Sequence, residues 1–145
     1  MRMAAGKKWA VFEHTADLGL HVYGDDLGEL FQAAAEALTA QLTRPETVRP
    51  VLERKVVLSA RNREELLRGW LAELLYFFNA EGWLTAAVKI EKLGDKELQA
   101  LLSGEVYNEG RHELLAELKA VTWHGLRIER AGKEGRLRAT VIIDV

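Results

Sequence analysis

The sequence predicts an α+β fold, a largely antiparallel or mixed β-sheet with two main amphipathic helices packed on it. Three observations carry that expectation. Two apolar stripes at helical spacing each begin with an Asp or Asn cap followed three positions later by Glu. Several other segments alternate at the two-residue period of a strand, separated by short turn signals. No repeat, low-complexity tract or long linker divides the 145 residues. With 48% hydrophobic residues, the chain has enough apolar surface for one sizeable core. Residues 1 to 8 read as a short polar leader and 9 to 145 as a single domain.

Trp9 to His14 and Leu18 to Tyr23 read as strands, because Leu18, Leu20 and Val22 share one face. Asp26 and Glu29 form a capping box ahead of Leu27, Leu30, Phe31, Ala34, Leu38 and Leu42, a helical stripe that Pro45 ends. Val51 to Ala60 favours a strand through the β-propensity of Val56, Val57 and Leu58. A second helix follows, capped by Asn62 with Glu65 and closed by Gly82, with Leu67, Trp70, Leu71, Leu74, Leu75 and Phe78 on its apolar face. Thr85 to Leu93 and Glu97 to Tyr107 form a strand pair around a tight turn at Gly94-Asp95. Leu114 to Thr122 fits helix and strand spacing about equally, and Val121, Thr122 and Trp123 tip it toward strand from about Glu117. Leu126 to Arg130 and Arg136 to Val145 complete the list as a hairpin across Gly132 to Gly135, with Leu137, Ala139, Val141 and Ile143 facing one way.

Composition narrows the function. Absence of cysteine excludes disulfides, thiolate zinc sites and a cysteine nucleophile. A formal charge of -2, from charges of both signs interspersed, supplies no strong field to gather phosphates, so tight independent nucleic-acid binding is not expected. No apolar run approaches the roughly 18 residues of a membrane span, and the start lacks a signal-peptide core. A cytoplasmic location is the expectation. Ser59 and Ser103 lie in no nucleophile elbow, the glycines form no phosphate-binding loop, and no helical HExxH is present.

Candidate site residues cluster in three places. His14 and Asp17 flank a strand join in the tetrapeptide HTAD, where neither helix nor sheet requires polar side chains; a local side chain to backbone bond of the kind Asp makes in turns is the plain alternative. Asp144 and Val145 end the most apolar strand on a carboxylate followed by a terminal carboxyl. Held by strand pairing, these oxygens together with Asp17 would suit a hard cation such as calcium or magnesium; a frayed, solvated end is the alternative. His124, between Trp123 and Gly125, reads as a residue re-aimed at a bend or bulge, with a hydrogen-bonded structural histidine as the alternative. His112, in the polar run NEGRHE, reads as a surface residue, and the four tryptophans read as core.

Four ordered segments carry a resemblance to a known family: WAVFEHTADLGLHVYG, WLAELLYFFNAEG, RHELLAELKAVTWHGL and the ending VIIDV. Together they look like archease, over about Trp9 to Val145. The resemblance implies a metal-binding accessory protein, not an enzyme, that activates an RtcB-type tRNA-splicing RNA ligase by promoting its guanylylation and multiple turnover. It implies a divalent metal ion, calcium above magnesium or manganese, held by Asp17, Asp144 and Val145. His14, Lys119 and His124 fall in the shared motifs without an assigned role. Two departures preserve the pattern: Trp123 stands where Tyr is common, and Leu18 where Ile or Val is usual. Rival readings are a small metal-dependent hydrolase using His14 or His124 as base, and a general chaperone-like scaffolding module.

Overall fold

The computed structural model describes residues 6–14, 16–132 and 135–145, with His14 described by its backbone alone. The elements run β1 (Trp9–His14), β2 (Asp17–Gly24), α1 (Leu27–Leu42), β3 (Leu52–Ser59), α2 (Arg63–Glu81), β4 (Trp83–Leu93), β5 (Glu97–Val106), β6 (Ala120–Val121), β7 (Arg127–Ala131) and β8 (Arg136–Asp144), with a 3-10 turn at Pro45–Thr47. The strands divide between two sheets. One has the order β1-β2-β8-β6, with β7 also paired to β8; the other has the order β3-β5-β4. Every pairing is antiparallel.

Both helices start as the sequence dictates. The Asp26 carboxylate accepts from Glu29 N–H at 2.8 Å and Glu29 reaches back to Asp25 N–H at 2.8 Å. Asn62 accepts from Glu65 N–H at 2.8 Å while Glu65 takes Arg61 N–H at 2.9 Å. In each case the reciprocal bond goes one residue before the cap, satisfying backbone donors that would otherwise be orphaned; each cap contributes about 1 kcal/mol. Gly82 ends α2 at φ 74°, a left-handed conformation that glycine adopts without a Cβ penalty.

Helix α1 is buried more widely than one stripe, with Ala33, Ala35 and Ala37 enclosed as well as Leu30, Phe31 and Leu38. The reason is its position: it touches β1, β2 and β8 of one sheet, β4 of the other, and α2. Small alanines permit that close approach on several sides. Trp70 on α2 is fully buried and donates its indole N–H to the Phe31 carbonyl at 2.9 Å, tying the helices together at their crossing. The core is continuous from β2 and β8 through both helices to β5.

One stretch departs from the expected pattern. The strand anticipated from about Glu117 is limited to Ala120–Val121, and residues 107–119 run as an irregular strap. Its backbone groups bond elsewhere: Leu115 N–H to Leu42 O at 2.9 Å, Glu113 O to Thr43 Oγ1 at 2.8 Å, and Leu118 O to Asn79 Nδ2 at 3.1 Å. Side chains and helix ends take the place of a neighbouring strand.

Candidate metal centre at the end of β8

Asp17 opens β2 and Asp144 closes β8. These strands pair with Leu18 opposite Ile143, Leu20 opposite Val141 and Val22 opposite Ala139, so the ladder brings Asp17 level with Asp144. Residues level with each other across a ladder share a face. Leu18, Leu20, Ile143 and Val141 point into the core, so the two aspartates lie on the outer face. On its other side Asp144 pairs with Ala120, and its carbonyl accepts from Lys119 N–H at 2.7 Å. The backbone of Asp144 is thus held from both sides, while its side chain and Val145 are exposed.

The sequence therefore brings Asp17, Asp144, Val145 and the Lys119 backbone to one end of the five-stranded sheet. His14 pairs with Asp17 across the β1–β2 ladder through its backbone; its side chain lies outside the described residues, as does Thr15. His124 is exposed in the turn between β6 and β7, and its N–H donates to Thr122 Oγ1 at 3.2 Å. Gly125, beside it, has φ 58°, which gives the bend anticipated there.

Among the described residues no group of three or more His, Cys, Asp or Glu side chains is close enough to hold an ion. The candidate donors are two carboxylates in register, with the main-chain carbonyl oxygen of Val145 next in the chain. All are hard oxygen donors, which fit calcium, magnesium or manganese rather than zinc or copper. Towards the middle of the outer face the character changes. Phe12 stacks on His21 with ring centroids 4.4 Å apart, Ile142 is buried although it points away from the main core, and the His21 ring lies 3.3 Å from Thr140 Oγ1. Burial, reinforced by Arg138 and Arg127, pushes the His21 pKa down.

Two residues stand differently from the sequence reading. His112 is not a surface residue: its side chain is fully buried, with Nε2 2.9 Å from Glu105 Oε2 and Nδ1 accepting from Asn108 N–H at 2.8 Å. The Nδ1 lone pair is thereby used, so Nε2 carries the proton and donates to Glu105. Trp70 and Trp83 are core residues, but Trp123 is 55% exposed. No local signal marks either position. His112 is covered because its loop folds back over Glu105, and Trp123 is uncovered because β6 ends before it.

The chain matches the model of the Archease protein family over residues 9–145. It is 35% identical over 144 residues to the protein archease of Methanosarcina mazei, covering 97% of each chain. To that of Thermococcus kodakarensis it is 37% identical over 142 residues, covering 96% of this chain and 99% of the other. The solution structure of protein 1598 of Methanobacterium thermoautotrophicum superposes with a TM-score of 0.77 at 36% identity, over 95% of this chain and 99% of that one. The crystal structure of an archease, described as a possible chaperone, from Thermotoga maritima gives 0.65 at 21% identity, over 100% and 98%, and bears on the fold alone. The α+β fold expected from the sequence is the fold of these relatives, and the chain belongs to the archease family.

Proposed function

We propose that the chain is a non-catalytic activator of an RtcB-type RNA ligase, acting through a divalent cation held by Asp17, Asp144 and Val145. The observation that carries the metal half is the β2–β8 register, which sets two carboxylates level on an outer sheet face. Like charges directly opposed across a ladder are destabilising, and a cation between them offsets that repulsion. Calcium takes about six to eight oxygens, so water and partner groups would complete the shell. Held by Asp17, Asp144 and Val145, such an ion would supply positive charge to neutralise phosphate. This chain's own part is to hold Asp17 and Asp144 level through strand pairing, with Lys119 N–H fixed on Asp144 O. The ligase, and tRNA splicing as its setting, rest on the motif resemblance together with family membership.

The test is an assay of ligase guanylylation and RNA sealing, with and without this chain. Alone, the chain should neither seal RNA nor hydrolyse GTP; with substoichiometric ligase it should turn one round into many. Asp17→Asn and Asp144→Asn should each abolish calcium binding by calorimetry and stimulation of the ligase, with unchanged circular dichroism. Robust sealing by the chain alone, or full ion affinity in both variants, would overturn the reading. A second reading is the general chaperone-like scaffolding module. It expects suppression of client aggregation that Asp144→Asn leaves intact.

A further inference from the structure

The cation site leaves the middle of the same outer sheet face without a role. Thr140 stands at its centre, with His21 opposite on β2 and Arg127 opposite on β7, while Arg138 is two positions back on β8 with Glu129 opposite. Ala139, Val141 and Ile128 point into the core, so these five side chains share the face turned away from it. Three strands thus bring an imidazole and two guanidinium groups around one hydroxyl. Thr140 is 4% exposed, and its Oγ1 lies 3.3 Å from His21 Nδ1. With that hydroxyl donating to Nδ1, the neutral ring carries its proton on Nε2, which has no partner among the described residues.

The charges there do not balance. Arg138 Nη2 and Arg127 Nε reach the same carboxylate oxygen, Glu129 Oε1, at 2.6 and 3.4 Å. Arg127 gives Nη1 to Gly125 O at 3.3 Å, and Arg138 Nε is enclosed without a partner. Among the described residues, the charges that act on His21 are these two arginines and a single carboxylate, Glu129; burial first, then the arginines, keep the imidazole neutral. One positive charge is left over. The donors come from three sides of Thr140, an arrangement that suits the tetrahedral oxygens of a phosphate better than a flat carboxylate, which one guanidinium fork satisfies. Asp17 and Asp144 lie four positions away along β2 and β8, about 13 Å, beyond the Debye length of about 8 Å at physiological salt. Their repulsion is largely screened.

We propose that His21, Arg127 and Arg138 form a phosphate-binding subsite on the outer sheet face, with Glu129 as the built-in carboxylate that an incoming phosphate displaces. The subsite goes beyond the cation site and is tested without the ligase. Inorganic pyrophosphate is titrated into the protein at constant ionic strength, and the His21 imidazole resonance, identified by its loss in His21→Gln, is followed by NMR. It should move saturably, while that of the buried His112 stays in place. Arg138→Gln and Arg127→Gln should each weaken binding roughly tenfold, the loss of one charge-assisted contact. Lys55→Gln, which removes an exposed charge from β3 of the other sheet, should bind as wild type does. Glu129→Gln should instead tighten binding severalfold, a direction that a damaged fold would not give. A short RNA oligonucleotide without terminal phosphates separates the sources. Saturation by it at lower concentration than pyrophosphate assigns the subsite to an RNA backbone, and the reverse order assigns it to a free or nucleotide phosphate. A hexaglutamate peptide is the third arm: if it moves the resonance at concentrations as low as the phosphates do, the subsite serves protein carboxylates and the proposal fails. It fails equally if wild type shows no saturable movement, if both arginine variants match wild type, or if Glu129→Gln weakens binding.

Discussion

Glu105 and the pair Asp17 with Asp144 are acidic groups that the fold treats in opposite ways. Glu105, 6% exposed near the end of β5, is enclosed by donors: both Arg111 Nη atoms, His112 Nε2 at 2.9 Å and Arg49 N–H at 2.8 Å. The Arg111 hydrogen bonds, above all, hold its carboxyl at about 2, with the Arg49 and His112 bonds adding to them against the opposing effect of burial. At the end of β8, like charges are level across a ladder and open to solvent on the Asp144 side. A carboxylate the fold depends on is enclosed by donors supplied by the same chain. The two carboxylates of the proposed cation site are instead brought level by strand pairing at the ends of β2 and β8.

The largest way to test this contrast is to remove Glu105. Glu105→Ala leaves Arg111 and buried His112 without their shared acceptor and releases the strap that begins at residue 107, so the loss should be about 3–5 kcal/mol by chemical denaturation. A change below about 1 kcal/mol would mean the cluster is peripheral to stability. Acid provides a finer version. Because folding lowers the Glu105 pKa from 4.5 to about 2, its contribution is complete above pH 4.5 and is lost as pH falls through about 2. Glu105→Gln, which keeps the shape and loses the charge, should be less stable than wild type at neutral pH. The gap should narrow steadily between pH 4.5 and 2, and a gap independent of pH would assign the stabilisation to shape alone.

The same contrast explains what the sequence made legible. Capping boxes at Asp26 and Asn62, the turn at Gly94-Asp95 and the alternation of β8 are signals within a few residues of one another, and the elements formed where those signals stood. Asp17 and Asp144 stand out in the sequence because each puts a charge at one end of an apolar strand. The Glu105 cluster was not, since Arg111 and His112 reach it only after the chain turns back at Asn108, where N–H donates to His112 Nδ1. In one dimension NEGRHE is a polar loop like any other. The shortening of β6 was hidden for a similar reason, as the Val121 and Leu118 carbonyls are taken by Arg68 and Asn79, 53 and 39 positions away. Propensity speaks for the strand's own residues and is silent about a helix that stands in for its neighbour.

The smallest expected effect is also the one most sensitive to the contrast, because its sign should reverse. With a chelator present, Asp144→Asn removes one of two like charges level across β2 and β8, and should match wild type or exceed it by about 0.2–1 kcal/mol. Backbone pairing is untouched, since Lys119 N–H still finds the residue-144 carbonyl. Under the proposed function, calcium stabilises only a chain that binds it, by RT ln(1 + [L]/Kd), or about 2.7 kcal/mol at a hundredfold excess over Kd. Wild type should then overtake the variant as calcium is raised, with the two thermal midpoints crossing. Asp17→Asn should show the same crossing if both carboxylates share the ion. Glu105→Gln should show none, remaining below wild type by a constant amount with and without calcium, because its carboxylate is enclosed by groups of the chain itself. Parallel curves for Asp144→Asn and wild type across the calcium series would remove the cation from the end of β8.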